Sequence, residues 1–418
     1  MQASTIWLQS FIAAIMAIGA TISPGTSVVT ADPQNLVGPS LGWVGSWAAS
    51  VTPPGPRTVS ATGVSNITLR QVAHLSIGGS GVRLRLSNRY GTKPVVVGRT
   101  TVASRRDNAA GTPKVERAKL VPVRFGGDLS ITIPVGVEVV SDPIGITVAD
   151  DSDLVISTYF PNPTGPLTQH PAGYATAFAA KGDRTRDLGA SYRKMGGTAR
   201  YLIDGVDVKS SARGSVVLFG DSITDGASTA VDRNRRYPDQ LADMLLTQPA
   251  DRVLGVLNAG ISGNRLLSNS GTAGDAGLAR FERDVIRRPG VRTVVVLEGI
   301  NDLRGSRGAI TLQQLIAAHR KLIRQAKAAG LTVIGATLTP FWGADYYTVA
   351  GEVTRQALNQ WIRTSHEYDG VVDFDKAVRD PRAPLQFRAS YDAGDHLHPN
   401  ANGTKAMART FNLAALIQ

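Results

Sequence analysis

The sequence predicts an all-β sandwich or jelly-roll domain followed by an α/β domain with a parallel sheet covered by helices. Three observations carry this expectation. Residues 42–207 hold short runs of alternating polarity, punctuated by Gly- and Pro-rich turns. Residues 214–418 hold continuous apolar runs separated by segments of helical period. Between them, Lys209-Ser-Ser-Ala-Arg-Gly is a polar break where the pattern changes.

The elements follow in order. From Ile6 to Ile22 the chain is almost wholly apolar, and Val29-Thr30-Ala31 is a small-residue site just before Asp32. Residues 1–31 therefore read as a signal peptide cleaved after Ala31, which makes the mature protein a secreted one. No Lys or Arg precedes Arg57, so the usual positive start of such a leader is missing. The apolar stretch is short for a membrane span, and cleavage would leave no stable membrane insertion.

In the first domain, Val82, Leu84 and Leu86 alternate with Arg83 and Arg85, the period of a half-buried strand. Strand-like runs recur at 91–103, 130–134 and 153–160, with turns at 78–81, 125–128 and 161–166. In the second domain the apolar runs begin at Val216, Val253, Val294, Val333 and Val371. In 311–329, Leu312, Leu315, Ile316, Leu322 and Ile323 fall on one helical face, and in 352–363 Val353, Leu358, Trp361 and Ile362 do much the same. Trp43 and Trp47 read as packing, and His74 and His170 as core or surface residues, because no partner cluster is visible beside them.

Composition narrows the chemistry. There is no cysteine, which excludes disulfides, thiol nucleophiles and thiolate metal sites. The formal net charge is +12, which favours association with anionic glycans or cell walls. No run of five basic residues and no nucleic-acid motif is present, so nucleic acid is not an expected partner.

Four loops carry the candidate chemistry. The run Val216-Val-Leu-Phe leads into Gly220-Asp-Ser222, placing Ser222 at the carboxyl end of a buried strand, where open α/β sheets bind their ligands. A serine hydroxyl needs a base to take its proton. Gly394-Asp395-His396-Leu397-His398-Pro399 supplies one, with a carboxylate three residues before His398 to fix the imidazole tautomer. Asp395, His396 and His398 also suit zinc, but no further ligand is evident near the other motifs, and no metal or cofactor is expected. Asn258-Ala-Gly-Ile-Ser-Gly263-Asn and Gly299-Ile-Asn301-Asp302 follow the next two strands. The N–H groups of Ser222 and Gly263 and the amide of Asn301 are donors suited to a tetrahedral oxyanion.

These four blocks, in this order, resemble the signature blocks of the SGNH (GDSL) hydrolases across about 215–415. The resemblance implies a flavodoxin-like sheet of order 2-1-3-4-5, catalysis by Ser222, His398 and Asp395 without metal, and an oxyanion hole of Ser222, Gly263 and Asn301. GDSITDGASTAVDRNRRYPDQLA and LNAGISGNRLL further resemble a secreted two-domain bacterial subgroup similar to carbohydrate acetylesterases, including xylan-deacetylating enzymes. An esterase acting on O-acetyl groups of polysaccharide is then expected. A broad lipase or arylesterase, and a glycan-binding protein on a hydrolase scaffold, remain as rivals. Arg265 and Arg304, with Trp342 and Tyr346 in an aromatic segment that also holds Phe341 and Tyr347, are candidates to meet an acylated carbohydrate or small ester.

Overall fold

The computed structural model describes residues 42–106, 109–306 and 309–417, and the expected leader, 1–31, lies outside them. The first domain holds strands β1 (Trp43–Ala48), β2 (Ile67–Leu75), β3 (Val82–Ser87), β4 (Val95–Val97), β5 (Arg99–Ser104), β6 (Val121–Val123) and β7 (Ile131–Ile133). It continues with β8 (Glu138–Val140), β9 (Ser152–Phe160), β10 (Gln169–His170), β11 (Phe178–Lys181), β12 (Arg193–Lys194), β13 (Arg200–Tyr201) and β14 (Ile203–Lys209). A short helix, α1, spans Val59–Thr62.

Two antiparallel sheets dominate, in the orders β1-β14-β3-β8 and β12-β11-β2-β9-β5-β6. The alternation at 82–86 acts as expected: Val82, Leu84 and Leu86 are buried in a core shared with Leu69, Leu154 and Ile156 of the other sheet. On the opposite face Arg85 meets Asp207 and Glu138.

The second domain is a parallel sheet of β15 (Gly214–Gly220), β16 (Leu254–Gly260), β17 (Val291–Leu297), β18 (Thr332–Ala336) and β19 (Gly370–Val372). The order is β16-β15-β17-β18-β19, which is 2-1-3-4-5 within the domain. Every residue of β15 is buried, the state that a continuous apolar run in a sheet covered on both faces requires. The strand order reverses beside β15, so the crevice beyond the carboxyl ends of β15 and β17 is where such a sheet opens a ligand site.

Helices α2 (Ser222–Asp225), α3 (Tyr237–Leu246), α4 (Gly277–Phe281), α5 (Ile300–Ser306), α6 (Leu312–Ala328) and α7 (Val349–Thr364) follow the strands, with α8 (Phe374–Val378), α9 (Ala401–Ala408) and α10 (Leu413–Leu416) at the end. Helix α6 buries Leu315, Leu322 and Ile323 and starts on a Thr311–Gln314 capping box. Helix α7 departs from the expected stripe. Val353 is 63% exposed, and the inward face carries Glu352, Arg355 and Asn359 beside Leu358 and Ile362. Glu352 and Arg355 can be buried because Arg355 also pairs with Asp375, so the charges are mutually satisfied. Among the described residues no helix is long and apolar enough to cross a membrane.

The two domains share polar contacts. The Gly45 N–H reaches the Pro289 carbonyl at 3.0 Å, and the Val256 N–H reaches Ser76 Oγ at 2.9 Å. Arg89 pairs with Asp275 at 2.8 Å, and Thr176 with Asp232.

Candidate active site

Three adjacent strands deliver the site. β15 ends at Gly220, and Asp221 caps α2 by accepting the Ile223 N–H at 3.0 Å. Ser222 is thus the first residue of a helix, and its own N–H has no intrahelical acceptor. Gly260 lets α2 lie close on the end of β16: a Cβ there would fall 2.2 Å from the Asp225 N atom. Gly263 has φ +78°, a left-handed turn that L side chains adopt only with strain. Asn301 lies in the first turn of α5, directly beyond β17.

The C-terminal loop closes the set. His398 Nε2 lies 2.9 Å from Ser222 Oγ, and His398 Nδ1 lies 2.5 Å from Asp395 Oδ2. Asp395 Oδ1 also accepts the N–H groups of Leu397 and His398, which pins the carboxylate to its loop. Partial burial works against ionisation of Asp395, but the side-chain and backbone hydrogen bonds from His398, its charge and the Leu397 N–H together outweigh it and hold the pKa below the ordinary carboxylate value. His396 takes a separate carboxylate, Asp392, at 2.6 Å, so the two histidines of the motif face different partners.

Around Ser222 the polar atoms are poised rather than paired. The Asn301 amide nitrogen is buried with no protein partner, as are Asp221 Oδ2 and the Tyr346 hydroxyl. Burial pushes the Asp221 carboxyl up to about 7, the Ile223 N–H opposing and the neighbouring Asp302 charge adding to it. Asp302 in turn accepts the N–H groups of Leu266 and Leu267 at 2.7 and 2.9 Å, fastening the loop of Gly263 to α5.

The residues considered for substrate contact separate. Arg304 is exposed and lies over the Tyr346 ring at 4.8 Å, while Arg265 is half-buried. Trp342 is 44% exposed, whereas Phe341 is buried and packs against Tyr346 and Tyr347.

Two supports gave no sequence signal. Arg280 is fully buried and donates to the carbonyls of Gly220 and Ala259, to Asn264 Oδ1, and to Glu298 and Asp284. One guanidinium thereby ties the ends of β15 and β16 to Glu298, which leads into Asn301. His170, read from the sequence as an isolated core or surface histidine, instead bonds Asp225 across the domain boundary. Apart from Asp284, four residues after Arg280, these partners lie far along the chain, beyond the reach of any spacing rule.

A serine hydroxyl, an imidazole and a carboxylate in hydrogen-bond sequence, beside the unpartnered Asn301 amide at the carboxyl edge of a parallel sheet, form an arrangement suited to acyl transfer. Residues 218–406 match the profile of the GDSL-like Lipase/Acylhydrolase family, and the C-terminal domain belongs to that family of carboxylic ester hydrolases. Among solved structures the chain is similar to a GDSL-like lipase from Bacteroides thetaiotaomicron VPI-5482, at 22% identity over 48% of this chain and 87% of that one, with a TM-score of 0.37. It is also similar to the native aryl esterase of M. smegmatis, at 15% identity over 47% and 94%, TM-score 0.38. A third is a mutant of the acetyl-xylooligosaccharide esterase from Geobacillus Stearmophilus, at 22% identity over 48% and 93%, TM-score 0.37. A search of curated proteins finds no match.

Proposed function

We propose that the protein is a secreted serine esterase that hydrolyses O-acetyl esters on a polysaccharide. Ser222 Oγ attacks the ester carbonyl, and its proton passes to His398 Nε2. Asp395 accepts the Nδ1–H, which keeps the tautomer correct and offsets the imidazolium charge. The N–H groups of Ser222 and Gly263 and the Asn301 amide stabilise the oxyanion. Collapse expels the alcohol, which takes the proton from Nε2. Water, activated by the same nitrogen, then releases the acid and restores Ser222. The observation that carries this reading is the 2.9 Å Ser222–His398 and 2.5 Å His398–Asp395 pair beside the unpartnered Asn301 amide.

The preference for a short acyl group rests on the polar surroundings of the nucleophile. Asp221 and Tyr346 set buried polar atoms without protein partners close to the nucleophile, surroundings that suit a small acyl group better than a long alkyl chain. The half-exposed Trp342 indole offers a face for a sugar ring, and Arg304 and Arg265 offer donors for hydroxyl or carboxylate groups. The test is hydrolysis of p-nitrophenyl esters from acetate to decanoate, with and without EDTA, beside Ser222→Ala, followed by acetate release from acetylated xylan. Metal-independent activity that is highest on acetate and lost in Ser222→Ala supports the reading. A maximum at long chains sinks the acetyl assignment and favours a lipase.

A further inference from the structure

His170 stands in the β domain, on β10, with its imidazole buried at the boundary with the hydrolase domain. Its Nδ1 lies 2.8 Å from the Ser50 carbonyl oxygen, and its Nε2 lies 3.1 Å from Asp225 Oδ1. The carbonyl only accepts, so Nδ1 carries a proton. The other oxygen of Asp225 already accepts two hydrogen bonds, from the Ser262 N–H at 2.9 Å and the Ser262 hydroxyl at 2.7 Å. Two donors there favour the ionised carboxylate, and Nε2 faces it as a second donor, which makes the ring an imidazolium. Ser262 directly precedes Gly263.

We propose that His170 is a positioning residue for the esterase site, holding Asp225 so that its carboxylate fixes Ser262 and, through it, the Gly263 N–H. The β domain is on this account part of the catalytic apparatus of the hydrolase domain, in addition to any glycan contact it makes. The proposal rests on the reading of Gly263 as an oxyanion donor.

Asp225 and Arg236 set the charge of His170. Asp225 on α2 faces it directly. Arg236, at the start of α3, disfavours the imidazolium, and Tyr174 lies close to both Asp225 and Arg236. Arg200, its cross-strand partner, donates to the carbonyls of Thr198 and Gly173. Burial works against the charge on His170, but Asp225 outweighs it and the pKa is raised. The clamp is therefore complete below the ordinary histidine range and weakens as pH rises through the raised value. It adds an alkaline limb to kcat, on the opposite side from the deprotonation that His398 needs.

The experiment uses the full chain and p-nitrophenyl acetate, with His170→Gln, Ser262→Ala, the double variant and Ser222→Ala. His170→Gln is expected to lower kcat by about tenfold or more, since small displacements of an oxyanion donor are costly, with KM within about twofold. The double variant is expected to be no worse than the poorer single, because both act along one path, and the alkaline limb of the wild type disappears in His170→Gln. A kcat within twofold of wild type, or losses that multiply, overturns the proposal. Nitrogen-15 NMR of the wild-type histidines serves even if a variant folds poorly. Two protonated ring nitrogens on His170 at pH 7, with a Gly263 amide shift that follows their titration, support the clamp; one neutral tautomer from pH 5 to 9 refutes it. Activity surviving in Ser222→Ala would instead sink the esterase reading, and the NMR result would still decide the clamp.

Discussion

Arg280→Met tests whether one buried guanidinium holds the site together. Arg280 and its partners Glu298 and Asp284 are each fully buried or nearly so. Methionine fills much of the same volume without the charge. Asp284 would keep Arg283 at 2.6 Å, but Glu298 Oε1 would lose Arg280, and its other oxygen already lacks a partner. Removing one member of a buried ion pair costs about 3–5 kcal/mol. The carbonyls of Gly220 and Ala259 also lose a donor, while protonation of Glu298 limits the charge penalty. For a domain of about 200 residues, each kcal/mol moves Tm by roughly 2–4 °C, so a drop of about 10 °C is expected by calorimetry.

The same variant has a pH signature. Burial, with the nearby Asp221 and Asp302 charges, already lifts the Glu298 pKa against the pull of Arg280, and losing that cation lifts it further. A carboxyl whose folded pKa exceeds its unfolded one binds more protons in the native state, so stability falls as pH rises between the two values. The Tm deficit of Arg280→Met should accordingly widen as pH rises past the point at which wild-type Glu298 ionises. A deficit under about 3 °C, or one unchanged by pH, would refute the reasoning.

The other expectations concern chemistry more directly. Asn301→Ala should reduce kcat about 10²–10³-fold with little change in KM, measured on p-nitrophenyl acetate, because the donor acts on charge that exists only in the transition state. Asp395→Asn should lower kcat by roughly 10²–10⁴-fold at an unchanged Tm, since the wrong imidazole tautomer is favoured while the partly exposed carboxylate adds little to folding. Asp221, with its pKa raised to about 7, makes wild-type stability decline as pH rises from about 4 to 7; Asp221→Asn should lack that slope in a series of melting curves.

Much of the site could be read before folding because each motif announces itself locally. A buried strand followed by Gly220-Asp-Ser222 marks Ser222 as a candidate nucleophile, and Asp395 with His398 lies within one short loop. The α/β class and the antiparallel class of the first half also follow from local periodicity, since side-chain alternation and continuous burial are properties of single strands. Long-range partners leave no such trace. Val353 shared the spacing of a buried stripe, yet α7 turns Glu352 and Arg355 inward because Asp375, twenty residues on, completes their charge.

The sequence by itself therefore determined the domain classes, the order of the strands' loops and which side chains are candidates for the chemistry, because periodicity and motif spacing act over a few residues. Tertiary structure alone decided that Arg280 joins the strand ends to Glu298 and that His170 reaches Asp225 from another domain. Those choices are made by burial: a charge removed from water must find its partner wherever the fold brings one, at whatever distance along the chain.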